Sequence, residues 1–214
     1  MNSPETRLDH IVIACPNHEA GKKFLSSVLG VTLVPGGKHE KMSTHNYLVG
    51  LGKSTYLELI SKDPEAPRPD RVRWFGLDTM DEGAGPHMTW VIRSNDINAS
   101  LTNASEWPGP VLPMSRGEYH WNITVPDDGN LVLGGAIPSM IQWQTAILPA
   151  EKLPDSGCSL DHLEIAHPEP HRISAFLESV NFRGPVKVIQ SSDGKVKLTS
   201  VIETGHGVVR LDLT

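Results

Sequence analysis

The stretch LDHIVIAC, Leu8 to Cys15, decides how the chain is read, because its opening LDH returns at Leu160–His162 in LDHLEIA. Both stretches are short, rich in branched apolar residues and bounded by turn residues, which predicts strands. After the first, Asn17 predicts a helix cap. Ala20, Phe24, Leu25, Val28 and Leu29 follow at helical spacing, and Gly30 stands where a helix stops. Three further strands are predicted at Val31–Val34, Thr44–Leu51 and Thr55–Ile60, with Pro35–Gly37 and Gly50–Gly52 as turns. The order is β, α, β, β, β.

The same order recurs twice. Met88–Arg93 predicts a strand, Asp96 caps a helix to about Glu106, and Val111–Ser115, Tyr119–Val125 and Met140–Trp143 complete the unit. Leu160–Ala166, a helix over Pro170–Val180, and strands at Val186–Ile189, Lys195–Ile202 and Val208–Leu213 make a third. Repeat ends also match, YLEL at Tyr56–Leu59 beside RLDL at Arg210–Leu213. Such recurrence over about fifty to seventy residues predicts an internal repeat. The Pro- and Arg-rich run Lys62–Asp78 and the run Leu148–Gly157 read as linkers. The expected division is a paired unit over 1–148 and a third βαβββ unit over 149–214.

The chain of 214 residues is long enough to bury a sizeable core, and its 38% hydrophobic and 21% charged residues are those of a globular protein. A net charge of −6 argues against a general nucleic-acid or lipid surface. The opening Met1–Glu5 lacks the pattern of a secretion signal, no apolar run is long enough to span a bilayer, and Cys15 and Cys158 are too few for a disulfide scaffold. Two reduced, buried thiols and a cytoplasmic location are expected.

LDHIVIA, THN at Thr44–Asn46, YLELI at Tyr56–Ile60, RWFGLD at Arg73–Asp78 and TVPDDG at Thr124–Gly129 resemble the glyoxalase-like branch of the vicinal-oxygen-chelate superfamily. The resemblance implies an α+β fold in which two βαβββ modules curve into a half-open barrel (glyoxalase/dioxygenase-like) around a small-molecule cavity. The third module would pack beside the barrel or form a homodimer contact.

Strand alternation puts His10 on one face with Leu8, Val12 and Ala14, and Asp9 on the other with Ile11 and Ile13. Glu58 shares a face with Tyr56 and Ile60. A carboxylate inside an apolar strand needs a partner. In the family's fold the strands of His10 and Glu58 lie side by side. The resemblance implies metal ligands at His10, Glu58, His87 and, with Gln142 where most relatives have glutamate, a weaker fourth position. Nitrogen and oxygen donors of this kind suit zinc, iron, nickel, cobalt or manganese. The alternative is a core histidine bonded to a carboxylate without an ion. Module three offers His162 and Asp212.

His45 is a candidate for proton transfer beside Glu58, with His120 its counterpart in module two, and both are equally readable as wall residues. Arg73, with Arg68, Arg71 and Trp74, is a candidate anion clamp, against a solvated linker with one aromatic anchor. Trp143 is a rim residue that can line the cavity. His18, His39, His167, His171 and His206 are expected to be solvated. Three functions follow. A metal-assisted enzyme would act on a small oxygenated metabolite as isomerase or lyase, or as a ring-cleaving dioxygenase with iron. A metal-free protein would sequester a small molecule in the same cavity. An interaction scaffold would dimerise through the third module.

Overall fold

A computed structural model describes residues 4–81, 83 and 85–213; Met1–Ser3, which entered the reading of the N-terminus, lie outside them. No helix among the described residues is long and apolar enough to cross a membrane.

The first unit comprises β1 (Thr6–Ala14), α1 (His18–Leu29), β2 (Val34–His39), β3 (Thr44–Gly50) and β4 (Tyr56–Lys62). Asn17 caps α1 by accepting the Ala20 amide, and Gly30 ends it at φ 69°. The second unit is β5 (His87–Ser94), α2 (Ile97–Thr102), β6 (Val111–Arg116), β7 (Tyr119–Thr124) and β8 (Ser139–Trp143). These strands join one sheet in the order β2-β3-β4-β1-β5-β8-β7-β6. Within each unit the last strand returns parallel to the first, and β1 meets β5 antiparallel. The sheet curls into a half-open barrel whose outer strands approach: Lys41 Nζ donates to the Pro113 carbonyl at 3.0 Å.

Two boundaries differ from expectation. The second strand begins at Val34 rather than ending there, and it runs through Pro35–Gly37. It is an edge strand with a register shift between Pro35 and Gly37, where a proline and a bulge are tolerated. Helix α2 stops at Thr102, not Glu106; the Pro108–Pro110 run beyond it cannot continue a helix.

The third unit follows a short helix, α3 (Pro149–Lys152), and holds β9 (Ser159–His167), α4 (Pro170–Ser179), β10 (Phe182–Arg183), β11 (Val186–Gln190), β12 (Lys197–Thr204) and β13 (Gly207–Asp212). Its connections depart from the repeat. The second sheet is ordered β11-β9-β12-β13, so the parallel place beside β9 goes to β11 instead of the last strand. Asp212 pairs with Thr199 on β12 and is one strand removed from His162. The matching ends YLEL and RLDL therefore occupy different places. β10 leaves this unit and pairs with Thr6 and Arg7 of β1.

One apolar interior joins both sheets. Leu8, Ile11, Trp90 and Ile92 from the outer face of the barrel pack in one cluster with Leu163, Ile173, Phe176 and Ile202 of the third unit. A second cluster inside the barrel contains Val12, Ile60, Val91, Trp121, Ile123 and Ile141, with Trp74 and Phe75.

Candidate functional site

The two LDH stretches build the same irregularity. In β1, Leu8 pairs with Ile92 and His10 with Val91, leaving Asp9 as an extra residue. In β9, Leu160 pairs with Ile202 and His162 with Val201, leaving Asp161. Each is a β-bulge, and the extra residue sends Asp and His to the same side of the strand. Asp9 therefore lies with His10, not beneath the helix, while Leu8 joins Ile11 on the outer face. Strict alternation misplaced both residues because a bulge breaks the two-residue period.

Asp9 Oδ1 stands 2.7 Å from His10 Nδ1, which places the proton on Nδ1 and leaves Nε2 as a lone pair facing inward. The other Asp9 oxygen accepts from Trp143 Nε1 at 3.0 Å and lies 3.7 Å from Arg93 Nη1. His10 Nε2 is 3.6 Å from Glu58 Oε2, and the other Glu58 oxygen accepts from the Asn46 amide. The His10 ring stacks on Tyr56, centroids 4.5 Å apart. Burial, with Asp9 and Glu58 nearby, pushes the Tyr56 hydroxyl well above its ordinary pKa. A narrow hollow inside the barrel is lined by His10, Glu58, His39, Arg116, Trp121 and Trp143. Trp74 and Phe75 enter it from the segment between β4 and β5, with Phe75 held at φ 55°.

Of the residues expected from sequence, the structure brings together His10, Glu58 and Trp143. His87 pairs with Ala14, four residues along β5 from the level of His10, about 13 Å away at strand spacing. Its Nε2 contacts the Phe75 carbonyl at 2.7 Å, and burial lowers its pKa. Gln142 points to the outer face, where it accepts from the Ile97 amide and donates to the Asn95 carbonyl, anchoring α2. His45 also faces outward, its ring 3.7 Å from that of His18. Desolvation lowers the pKa of His45 and, with the neighbouring imidazole, takes His18 to about 4. His120 is exposed on β7. Arg73 is committed to Asp78 at 2.8 Å and to the Ser43 carbonyl, so it clamps its own loop.

Three wall residues were missed. Asn46 appeared only within the THN motif. His39, expected to be solvated, is buried, bonds Thr44 Oγ1 at 3.0 Å and has its pKa lowered by burial and by Arg116. His167 is likewise buried rather than solvated, though in the third unit. Arg116, at the end of β6, is the third; only the closure of β6 toward β2 brings it to the hollow, and no local pattern announces that.

Comparison with known proteins bears on this geometry. A family model described as a glyoxalase-like domain matches residues 8–180. No curated protein matches the sequence. Among solved structures, a hypothetical protein from Staphylococcus aureus superposes with TM-score 0.59 at 16% identity, covering 97% of this chain and 84% of the other. A xylose isomerase-like TIM barrel/4-hydroxyphenylpyruvate dioxygenase fusion protein gives TM-score 0.50 at 17% identity, covering 99% of this chain and 32% of the other. Methylmalonyl-CoA epimerase from Mycobacterium tuberculosis gives TM-score 0.43 at 18% identity, covering 65% of this chain and 88% of the other. For the first two, at these identities, the likeness is one of fold.

Proposed function

The chain belongs to the glyoxalase-like domain family, and from that premise we propose that its barrel hollow takes a small oxygenated molecule and that His10 transfers a proton on it. The carrying observation is the sequence Asp9–His10–Glu58 in space. Asp9 fixes the tautomer from behind at 2.7 Å, and Nε2 and Glu58 Oε2 face the same gap at 3.6 Å, too far apart to bond each other. Removal of a proton from a carbon beside a carbonyl by Nε2 leaves an imidazolium between two carboxylates, which stabilise its charge. Return of that proton at another position completes an isomerisation; loss of a leaving group completes an elimination.

A divalent ion is what the family resemblance implies, and the donor set supports it poorly. His10 and Glu58 are two donors at ion-sharing distance. The same step back from the caps Asn17 and Asp96 makes Thr89 the counterpart of His10, and the strand registers make Ser139 the counterpart of Glu58. Module two thus supplies hydroxyls at the positions where module one supplies an imidazole and a carboxylate. No three His, Cys, Asp or Glu side chains group as a metal site among the described residues. Catalytic zinc centres use three protein ligands, one more than His10 and Glu58 supply.

The experiment is proton exchange in deuterated water over a panel of small ketones, aldehydes and oxo acids, read by NMR. Loss of the substrate C–H signal is expected with the native chain, and His10→Asn should slow it at least about 100-fold. Ligands that raise the melting temperature without exchange would favour the sequestering role, which the paired indoles Trp121 and Trp143, 5.3 Å apart, also suit. One ion per untagged chain, lost in His10→Asn, would reinstate the metal.

A further inference from the structure

Arg116 passes close over the edge strand. Its side chain crosses from β6 to β2, where a Cβ on Gly37 would stand 3.0 Å from Arg116 Cδ and 3.3 Å from Cγ. Gly37 adopts φ 127°, a backbone that other residues rarely accept. The edge strand thus combines a bulge and a glycine where the arginine passes. Arg116 lies with its guanidinium 5.7 Å over the Tyr119 ring and Nη1 3.4 Å from His39 Nε2. His39 is buried, and its lowered pKa keeps it neutral at pH 7. No carboxylate pairs with Arg116 among the ion pairs of the described residues, whereas Asp9 and Glu58 both have partners.

A second donor in the same wall has no acceptor: Trp74 Nε1 is buried and unbonded among the described residues. Leaving a buried N–H unmade costs about 1–3 kcal/mol, so such groups call for an explanation. A guanidinium that bonds the neutral His39 imidazole but no carboxylate among the described residues, and an orphan indole N–H on a second residue of the same hollow, are matched by acceptor oxygens carrying negative charge. The planar guanidinium fork matches a carboxylate in bidentate fashion. The aromatic side chains of Trp121 and Trp143 suit an apolar or unsaturated body, and the narrowness of the hollow limits its size.

We propose that Arg116, with Trp74 Nε1, is the carboxylate-recognising subsite of the hollow, so that the molecule bound there is a small organic monocarboxylate. The idea rests on the hollow being the ligand site, as in the proposed function, and assigns binding to Arg116 and chemistry to His10.

The test uses matched pairs of the smallest acids on the 214-residue chain: formate with formamide, acetate with acetamide, and pyruvate with pyruvamide, read by thermal shift and by titration calorimetry. At least one acid should raise the melting temperature and bind at least tenfold more tightly than its amide. Arg116→Gln should abolish that preference while the ligand-free melting temperature stays within a few degrees of native. Arg116→Lys should restore part of it, and Trp74→Phe should weaken binding severalfold. His10→Asn should still bind the acid, and acid binding by the native chain without any proton exchange counts against the proton-transfer reading while leaving this one standing. Equal binding of acid and amide, no stabilisation by any acid, or unchanged acid binding in Arg116→Gln would overturn it. Loss of folding in both Arg116 variants would also overturn it, by showing the arginine to be a stitch between β2 and β6.

Discussion

Asp9 serves three donors with two oxygens while only 2% exposed: the His10 imidazole, the Trp143 indole and, at longer range, the Arg93 guanidinium. Arg93 is itself fastened to the carbonyls of Leu8 and Ser54 at 2.8 and 2.9 Å, so it cannot swing away. Asp9→Ala leaves the His10 and Trp143 N–H groups without their acceptor and Arg93 without a nearby countercharge, and removing one partner of a buried charged set costs about 3–5 kcal/mol. A loss of about 3 kcal/mol in urea unfolding is expected, with no proton exchange remaining. Asp9→Asn keeps the volume and an oxygen for Trp143, so its stability loss should be smaller, yet its amide can donate to His10 Nδ1 and turn the tautomer. At this scale the sequence was informative about His10 and Glu58, because a charged group inside an apolar strand is conspicuous. It misled about Asp9, whose face depends on a bulge set by pairing with β5. His45 and Gln142 went to the outer face for a related reason, since alternation tells which residues share a face but not which face is concave.

Between β4 and β5 a strap over residues 63–81 pushes Trp74 and Phe75 into the barrel. Arg73 and Asp78 close this strap on itself, while His87 and Gly129 hold its turn. The Gly76 amide donates to the Gly129 carbonyl at 2.8 Å. A Cβ on Gly129 would meet the Arg73 carbonyl at 2.1 Å, and its φ of 69° already disfavours a side chain. Gly129→Ala is therefore expected to lower stability by about 2 kcal/mol or more. It should also speed amide exchange across 72–78, which mass spectrometry after deuterium labelling will show. The sequence revealed an aromatic anchor here but also suggested a clamp of arginines. What it could not reveal is that Arg73 spends its charge on Asp78, five residues on, whereas Arg116 meets no carboxylate among the described residues. The strand at 34–39 was obscured for another reason: proline and paired glycines signal a turn everywhere except on an edge strand with a bulge.

For the molecule as a whole, the βαβββ order of the three units was legible, including the helices that follow their first strands, whereas α3, inside a stretch read as a linker, and the short strand β10 were not. The arrangement of the third unit was not, because βαβββ as a string is satisfied by either strand order. Its interior is continuous with the outer face of the barrel: Ser200 Oγ reaches Met88 Sδ at 3.3 Å, the Arg172 guanidinium grips Glu106 at 2.8 Å, and Thr6 bonds the Val180 carbonyl at 3.1 Å. With the apolar cluster running through both sheets, the chain is expected to melt in one calorimetric transition, its van't Hoff and calorimetric enthalpies agreeing. Two resolved transitions would show that 1–148 and 149–214 fold as separate units.

The two residues of β10 add a consequence of their own. By hydrogen-bonding to Thr6 and Arg7 they bring the polypeptide back to its first strand before the second sheet is finished. The cover that the third unit gives the barrel's outer surface is then supplied within one chain, at an effective concentration set by tether length. Dilution cannot strip that cover away, as it would if another molecule had to supply it.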